Sequence, residues 1–392
     1  MNENISAPKS ICIATGTRAD WGLLSPLAKA LASRDDCRVT VAATNMHLDP
    51  RFGLTVNDII ADGFTPERVA MPAGDDSEAS RAKAMAACLE GFAELFGRLQ
   101  PDMVVILGDR YEMLAVASAA AVMRIPIVHI AGGTVSEGAV DESIRHAITK
   151  LAALHLAETE QYRRRIIAMG ENPARVFNTG AIGVWNIHNV PLIPLEQLSA
   201  DLDFALDKPY AIATFHPATL DPTDPAERCR AMLDALDRHT ELNLIITYPN
   251  NDARSSGIIE LIERYAADRP GRVKLVKSLG LRRYLSAMRS AAFVIGNSSS
   301  GIVEVASFGI PSIDIGCRQR GRACAESVIH CGNSADEIDD AICLALSPDF
   351  RNMAAHTANP YDNHDTLSLM VKAICEADPK ALQHKSWFDN KC

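Results

Sequence analysis

The stretch HIAGGTVSEGAVDESIRH, residues 129–146, sets Ser136, Glu137, Asp141, Glu142, Arg145 and His146 behind an apolar run and two glycines. Carboxylates beside an arginine and a histidine are the materials of general acid–base chemistry on a substrate that builds up charge. The same residues also suit a plain helix start. Asp141 can cap it, and Asp141 with Arg145 makes an i,i+4 pair of about 0.3–0.5 kcal/mol. Glu137 stands apart: it precedes the helix in a glycine-bounded loop, has no structural task there, and can meet a sugar ring.

Groups of the same kind follow other short apolar runs. Asp109 in GDRYE (108–112) ends one run, where desolvation would raise its pKa towards a working range, although an aspartate there also commonly caps the next helix. His216, ahead of Pro217, can position a phosphate or sugar, carry protons near neutrality, or be a structural histidine. In GNSSSGIVEVASFG (296–309), Ser298, Ser299, Ser300 and Gly301 leave backbone N–H groups open at a helix N-terminus, where the dipole favours phosphate. Glu304, about one and a half turns into that helix, suits sugar hydroxyls; the plain alternative for the turn is a serine cap. Arg18 in TGTRADWG (15–22) can clamp a diphosphate or pair with Asp20. The chain has no G-x-x-x-x-G-K-[ST], and no G-x-G-x-x-G follows its first strand, which disfavours ATP hydrolysis and nicotinamide chemistry.

Such groups need a scaffold, and the hydrophobic pattern predicts one. Apolar runs at 11–15, 38–44, 103–108 and 125–130 alternate with helix-like stretches at 21–32 and 111–123; 147–157 is a helix-to-strand passage, and 175–180 a further strand. Continuous apolar strands joined by helices indicate parallel sheet buried on both faces. Residues 186–209, with three prolines, read as a linker with peripheral helices. Strand-like runs then resume at 210–215, 242–248, 273–276, 291–296 and 311–316. The predicted fold is α/β: two Rossmann-like doubly wound domains, 1–185 and 186–363, with ligands in the cleft faced by the carboxyl ends of both sheets. TGTRAD, TNMHLD, GDRYE, AGGTVSEG, FHPATL, YPNND, GNSSSG and GCRQRGR all sit at strand exits, which stability alone does not require.

The 392 residues exceed what one core usually serves. A net charge of −10, with no basic tract longer than Arg163 to Arg165, argues against nucleic acid or an anionic membrane as partner. No apolar run reaches membrane-spanning length and the N-terminal stretch lacks a basic n-region, so the expected location is cytoplasmic. The ten cysteines follow no zinc or paired spacing, which points to free thiols in a reducing compartment.

Taken in order, GTRADWG, NMHLD, GDRYE, HIAGG with DESIRHAITK, TFHP, YPNND, GNSSSGIVEV and GCRQRGR resemble the hydrolysing UDP-N-acetylglucosamine 2-epimerases of sialic acid biosynthesis, from about residue 11 to residue 322. The resemblance implies a glycosyltransferase-B-like fold whose C-terminal helix, within about 364–392, packs back on the first domain. It also implies a homodimer or homotetramer, a UDP-sugar substrate, no cofactor and no metal. The implied reaction converts UDP-N-acetylglucosamine and water to N-acetylmannosamine and UDP, through elimination of UDP to a 2-acetamidoglucal and hydration.

By the same resemblance Asp109 and Asp141 match catalytic carboxylates, Arg145 an arginine beside them, and His216 a histidine of the other wall. Arg18, the Ser298 to Ser300 run and Gly301 match phosphate positions, Glu304 a ribose position, and Arg318 and Arg322 the nucleotide side. His47 and Asn250 match further cleft positions. The chain also departs from its relatives. Ala131 and Thr134 stand where many relatives have carboxylates, and one extra residue precedes Asp141, so Glu137 is expected to take over the missing work. Arg254 stands where glycine is common and is expected to alter sugar contacts. A UDP-2,4-diacetamido-trideoxyhexose on the legionaminic acid route is the alternative substrate, and a glycosyltransferase using a UDP-sugar is the more distant alternative.

Overall fold

The computed structural model describes residues 7–72, 74, 75, 77–136, 140–218, 223–250, 252 and 254–389. Those within 1–134, 141–185 and 363–392 form one compact unit, and those within 135–140 and 186–362 form the other.

In the first unit seven parallel strands, β1 (Lys9–Thr15), β2 (Cys37–Ala43), β3 (Glu67–Arg68), β4 (Met103–Leu107), β5 (Ile127–Ile130), β6 (Leu154–Ala157) and β7 (Val176–Asn178), lie in the order 3-2-1-4-5-6-7. Alternate residues serve opposite faces, as a pleated strand requires. Ile11, Ile13, Val105 and Val128 enter one core, while Cys12, Ala14, Val104 and Ile106 enter the other. The chain winds outward from β1 through β2 and β3, then returns to β4 on the other side. The switch point of the sheet is therefore the β1–β4 boundary, which sets Gly16–Arg18 beside Gly108–Glu112.

The second unit repeats the plan with β8 (Tyr210–Thr214), β9 (Asn243–Thr247), β10 (Val273–Val276), β11 (Phe293–Gly296), β12 (Ser312–Ile315) and β13 (Val328–Cys331), in the order 10-9-8-11-12-13. Its switch point is the β8–β11 boundary, so His216 and the Asn297–Gly301 turn leave from neighbouring strands. Gly296 has φ 137, and a Cβ there would overlap the Thr214 carbonyl oxygen, so only glycine allows this approach.

Both sheets agree with the apolar runs of the sequence. The differences are local. β3 and β13 were not foreseen, being two and four residues long. The 186–209 stretch holds a helix, as expected, but Leu195–Leu202 is not merely peripheral: Leu198 and Leu202 lie one turn apart on it and are buried in a core of the second unit. The helix Thr366–Glu376 belongs to the first unit, where Met370, Ala373 and Ile374 share a core with Ile11, Leu24 and Leu31. Among the described residues no helix is long and apolar enough to cross a membrane.

Candidate active site

At the exit of β1 the chain turns through Gly16 and Thr17 into the helix Arg18–Ala32. Thr17 and Asp20 form a capping box. Asp20 Oδ2 accepts from the Gly16 and Thr17 amides at 3.3 and 3.0 Å, and the Asp20 amide donates to Thr17 Oγ1 at 3.2 Å. Asp20 therefore serves the backbone that carries Arg18. Burial pushes its carboxyl up to about 6, with Arg110 opposing and Glu112 adding to the shift.

Beneath this turn lies an ion pair that the sequence reading missed. Glu112 is wholly buried, its Oε1 accepts from Arg110 Nε at 2.7 Å, and its Oε2 has no hydrogen-bond partner. A Cβ on Gly16 would stand 2.5 Å from Glu112 Oε1, so the glycine of TGTR and the glutamate of GDRYE are two halves of one packing requirement. The signal was present in both motifs, but it needs β1 and β4 to be neighbours, which local patterns do not state.

Asp109, at the exit of β4, accepts from Arg145 Nη2. Arg145 has no exposed surface, and its Nη1 donates to the Thr134 carbonyl at 3.1 Å and to Glu142 Oε2 at 3.0 Å. Glu142 in turn meets His146 Nε2 at 3.1 Å. Asp141 is the first residue of the helix Asp141–Leu151 rather than its cap, and so places a carboxylate at the positive end of the helix dipole. Glu137 lies outside the described residues.

Two histidines of this unit are held neutral. His47 is buried between Thr15 Oγ1 at 3.0 Å and Thr55 Oγ1 at 2.9 Å, and burial lowers its pKa to about 4. With both ring nitrogens engaged, it ties the end of β1 to Thr55, at the start of the helix Val56–Ala61. His129 bonds the Gly108 carbonyl at 2.8 Å, and burial lowers it to about 3.

In the second unit Asn297 is the hub. Its side chain accepts from the His216 amide at 2.7 Å and donates back to the His216 carbonyl at 2.8 Å. Its own carbonyl takes Arg318 Nη1 at 3.1 Å and Gln319 Nε2 at 2.7 Å. The Asn250 amide donates to His216 Nδ1 at 3.3 Å, so a neutral His216 carries its proton on Nε2. Sequence reasoning selected the serines after Asn297 and passed over Asn297 itself. Phe215, Thr223, Arg228, Asn297 and Arg318 line a recess here.

The serine turn is shorter than expected. Its helix is only Ser300–Val303, and Glu304 closes it instead of lying well inside. Ser300 Oγ donates to Glu304 Oε2 at 2.5 Å and accepts from the Tyr284 hydroxyl at 3.0 Å, while burial raises the Glu304 pKa. Ser299 is exposed, Ser298 half-buried and Gly301 buried. Arg322 donates to the Val135 carbonyl at 2.9 Å and to Ser136 Oγ at 2.8 Å, within the same unit. Arg254 has φ 66, a conformation that explains why glycine suits this place, and its guanidinium donates to the Thr223 carbonyl.

Residues 29–375 match the sequence family described as UDP-N-acetylglucosamine 2-epimerase. The chain is 37% identical over 343 residues to a GDP/UDP-N,N'-diacetylbacillosamine 2-epimerase (hydrolyzing) of Campylobacter jejuni, covering 88% of this chain and 89% of that one. It is 34% identical to a UDP-N,N'-diacetylbacillosamine 2-epimerase (hydrolyzing) of Legionella pneumophila, covering 98% and 99% of the two. The solved UDP-GlcNAc 2-epimerase of Neisseria meningitidis bound to UDP-GlcNAc superposes with a TM-score of 0.76 at 16% identity, over 94% of this chain and 100% of that one, a likeness of fold.

Proposed function

Because the chain belongs to the UDP-N-acetylglucosamine 2-epimerase family, we propose that it is a hydrolysing 2-epimerase of a UDP-2-acetamido sugar, releasing UDP and the free 2-epimeric sugar. The observation that carries the reading is the carboxylate at the exit of β4 held by a buried arginine, Asp109 on Arg145, with Asp141 one turn before that arginine. A weakly acidic C2 proton needs a positioned carboxylate, and hydration of the resulting glycal needs an acid and a base. In this reading Asp109, Asp141 and Glu137 share those proton transfers, and Arg145 holds the carboxylate geometry. His216 offers Nε2–H to the departing diphosphate. Arg18, Arg318, Arg322 and the Ser298–Gly301 turn take its charge, and Glu304 takes the ribose hydroxyls. No net hydride moves, so the chemistry calls for no nicotinamide.

The sugar has two readings. The relative at 37% identity bears the name of a GDP/UDP-N,N'-diacetylbacillosamine 2-epimerase and the one at 34% that of a UDP-N,N'-diacetylbacillosamine 2-epimerase, which favours a 2,4-diacetamido-trideoxy sugar. UDP-N-acetylglucosamine, expected from the sequence motifs, is the second. A cytoplasmic homo-oligomer belongs to the same proposal. The test is incubation with each UDP-sugar in D2O, followed by NMR. Free UDP together with deuterium at C2 of the released sugar is expected. UDP released without C2 label would exclude the elimination route, and no turnover of either sugar would return a transferase to consideration.

A further inference from the structure

The thiols of Cys37 and Cys375 lie 3.7 Å apart, although 338 residues separate them in the chain. Cys37 opens β2, at the end of the first sheet opposite the strand exits, and Cys375 lies in the last turn of the helix Thr366–Glu376. Asp36 brings a carboxylate to the same place, so that the three ligand atoms all lie within 4.8 Å of one another. Lys9, the register partner of Cys37 in β1, fixes the end of that helix. Its Nζ donates to the carbonyls of Ile374 at 3.1 Å, Cys375 at 2.7 Å and Ala377 at 2.7 Å. The position of the second sulfur is therefore set by the backbone as well as by its own rotamer.

We propose that Cys37, Cys375 and Asp36 bind one thiophilic divalent cation of the zinc class, with water as the fourth ligand. Two thiolates on a tetrahedral zinc, each at about 2.3 Å, stand about 3.8 Å apart, so the sulfurs are already at the required spacing. A disulfide would need them to close to about 2.05 Å. Two sulfurs and one carboxylate select zinc-like ions over calcium or magnesium. Binding replaces the two thiol protons, which go to solvent, by two metal–sulfur bonds. The two thiolates, Asp36 and the Arg34 guanidinium that bonds it then balance the ion's charge. Each Asp36 oxygen keeps a lone pair beyond the one Arg34 occupies. The ion would cross-link the start of β2 to the C-terminal helix. It shares no residue with the candidate active site, so its test does not depend on the proposed reaction.

The experiment uses the full chain, reduced and chelator-stripped, in a Cys343→Ser background, because Cys343 with His239 and Asp339 forms a separate group of potential ligands. Titration with Co2+ is expected to give one intense thiolate-to-cobalt band per chain, with tetrahedral visible absorption, displaced by one equivalent of Zn2+. Adding Cys37→Ser or Cys375→Ser should weaken binding at least about 100-fold, and Asp36→Asn about tenfold. Circular dichroism of each variant checks folding, and the parent spectrum decides even if a variant does not fold. Absence of the band in the parent, its persistence in the Cys37→Ser/Cys375→Ser double variant, or a mass loss of two hydrogens without metal uptake would overturn the proposal.

Discussion

Arg145 donates to Asp109 and, through its other terminal nitrogen, to Glu142 and the Thr134 carbonyl, so one buried guanidinium joins the exit of β4 to the helix Asp141–Leu151. Removing it would leave Asp109 and Glu142 near each other without the intervening positive charge. Arg145→Met should lower stability by about 3–5 kcal/mol, as expected for a broken buried pair. Arg145→Lys should recover only part, since an ammonium cannot span three acceptors in one plane. Urea melts of the three proteins check this, and a loss under about 1 kcal/mol for Arg145→Met would count against the account.

Glu137→Gln should reduce turnover by several orders of magnitude, about 10³-fold or more, while the Kd for UDP stays within about threefold. The prediction rests on the sequence, where Glu137 is the carboxylate available near Ala131 and Thr134. Paired kinetics and UDP calorimetry measure it, and near-normal turnover would remove Glu137 from the proton transfers.

Gly16→Ala sets a methyl against Glu112 Oε1, and the capping box that carries Arg18 must then shift. UDP affinity is expected to fall at least about tenfold, with the loss mostly in KM, because Arg18 is proposed to bind charge in ground and transition states alike. Glu112→Ala made in the same chain should restore part of the loss by removing the clash. If Gly16→Ala binds UDP normally, Arg18 does not act through this turn.

Stability should fall in mild acid. His47 and His129 are depressed to about 4 and about 3, so each stays neutral in the fold, while its unfolded counterpart gains a proton below about 6.5. Their contribution is whole above about 6.5 and is lost as the pH falls through the folded values. Asp20, raised to about 6, acts in the opposite sense: its contribution is present below about 3.8 and is lost as pH rises through about 6. For His47 the lowering from pH 7 to pH 5 amounts to about 2 kcal/mol. His47→Gln should therefore show a smaller loss over that interval in urea melts, by about that amount; an equal loss would mean that His47 is already charged in the fold.

Strands buried on both faces announce themselves as unbroken apolar runs, so the two sheets and most strand exits were legible, along with Asp109, His216 and the serine turn at their ends. These are local properties, carried by neighbours in the chain. The partners of those residues were not legible. That Arg145 meets Asp109, that Glu112 forbids a side chain at Gly16, and that Asn297 holds His216 and Arg318 all follow from which strands lie side by side, and strand order is a property of packing, not of any window of residues. Arg254 is expected from the sequence to alter sugar contacts, whereas its left-handed backbone and its bond to the Thr223 carbonyl, which place it in the frame of a loop, are visible only in the fold. Cys37 and Cys375 make the limit plain. No spacing rule can connect two thiols 338 residues apart; they meet because the returning C-terminal helix buries Met370 and Ile374 in the same core as β1.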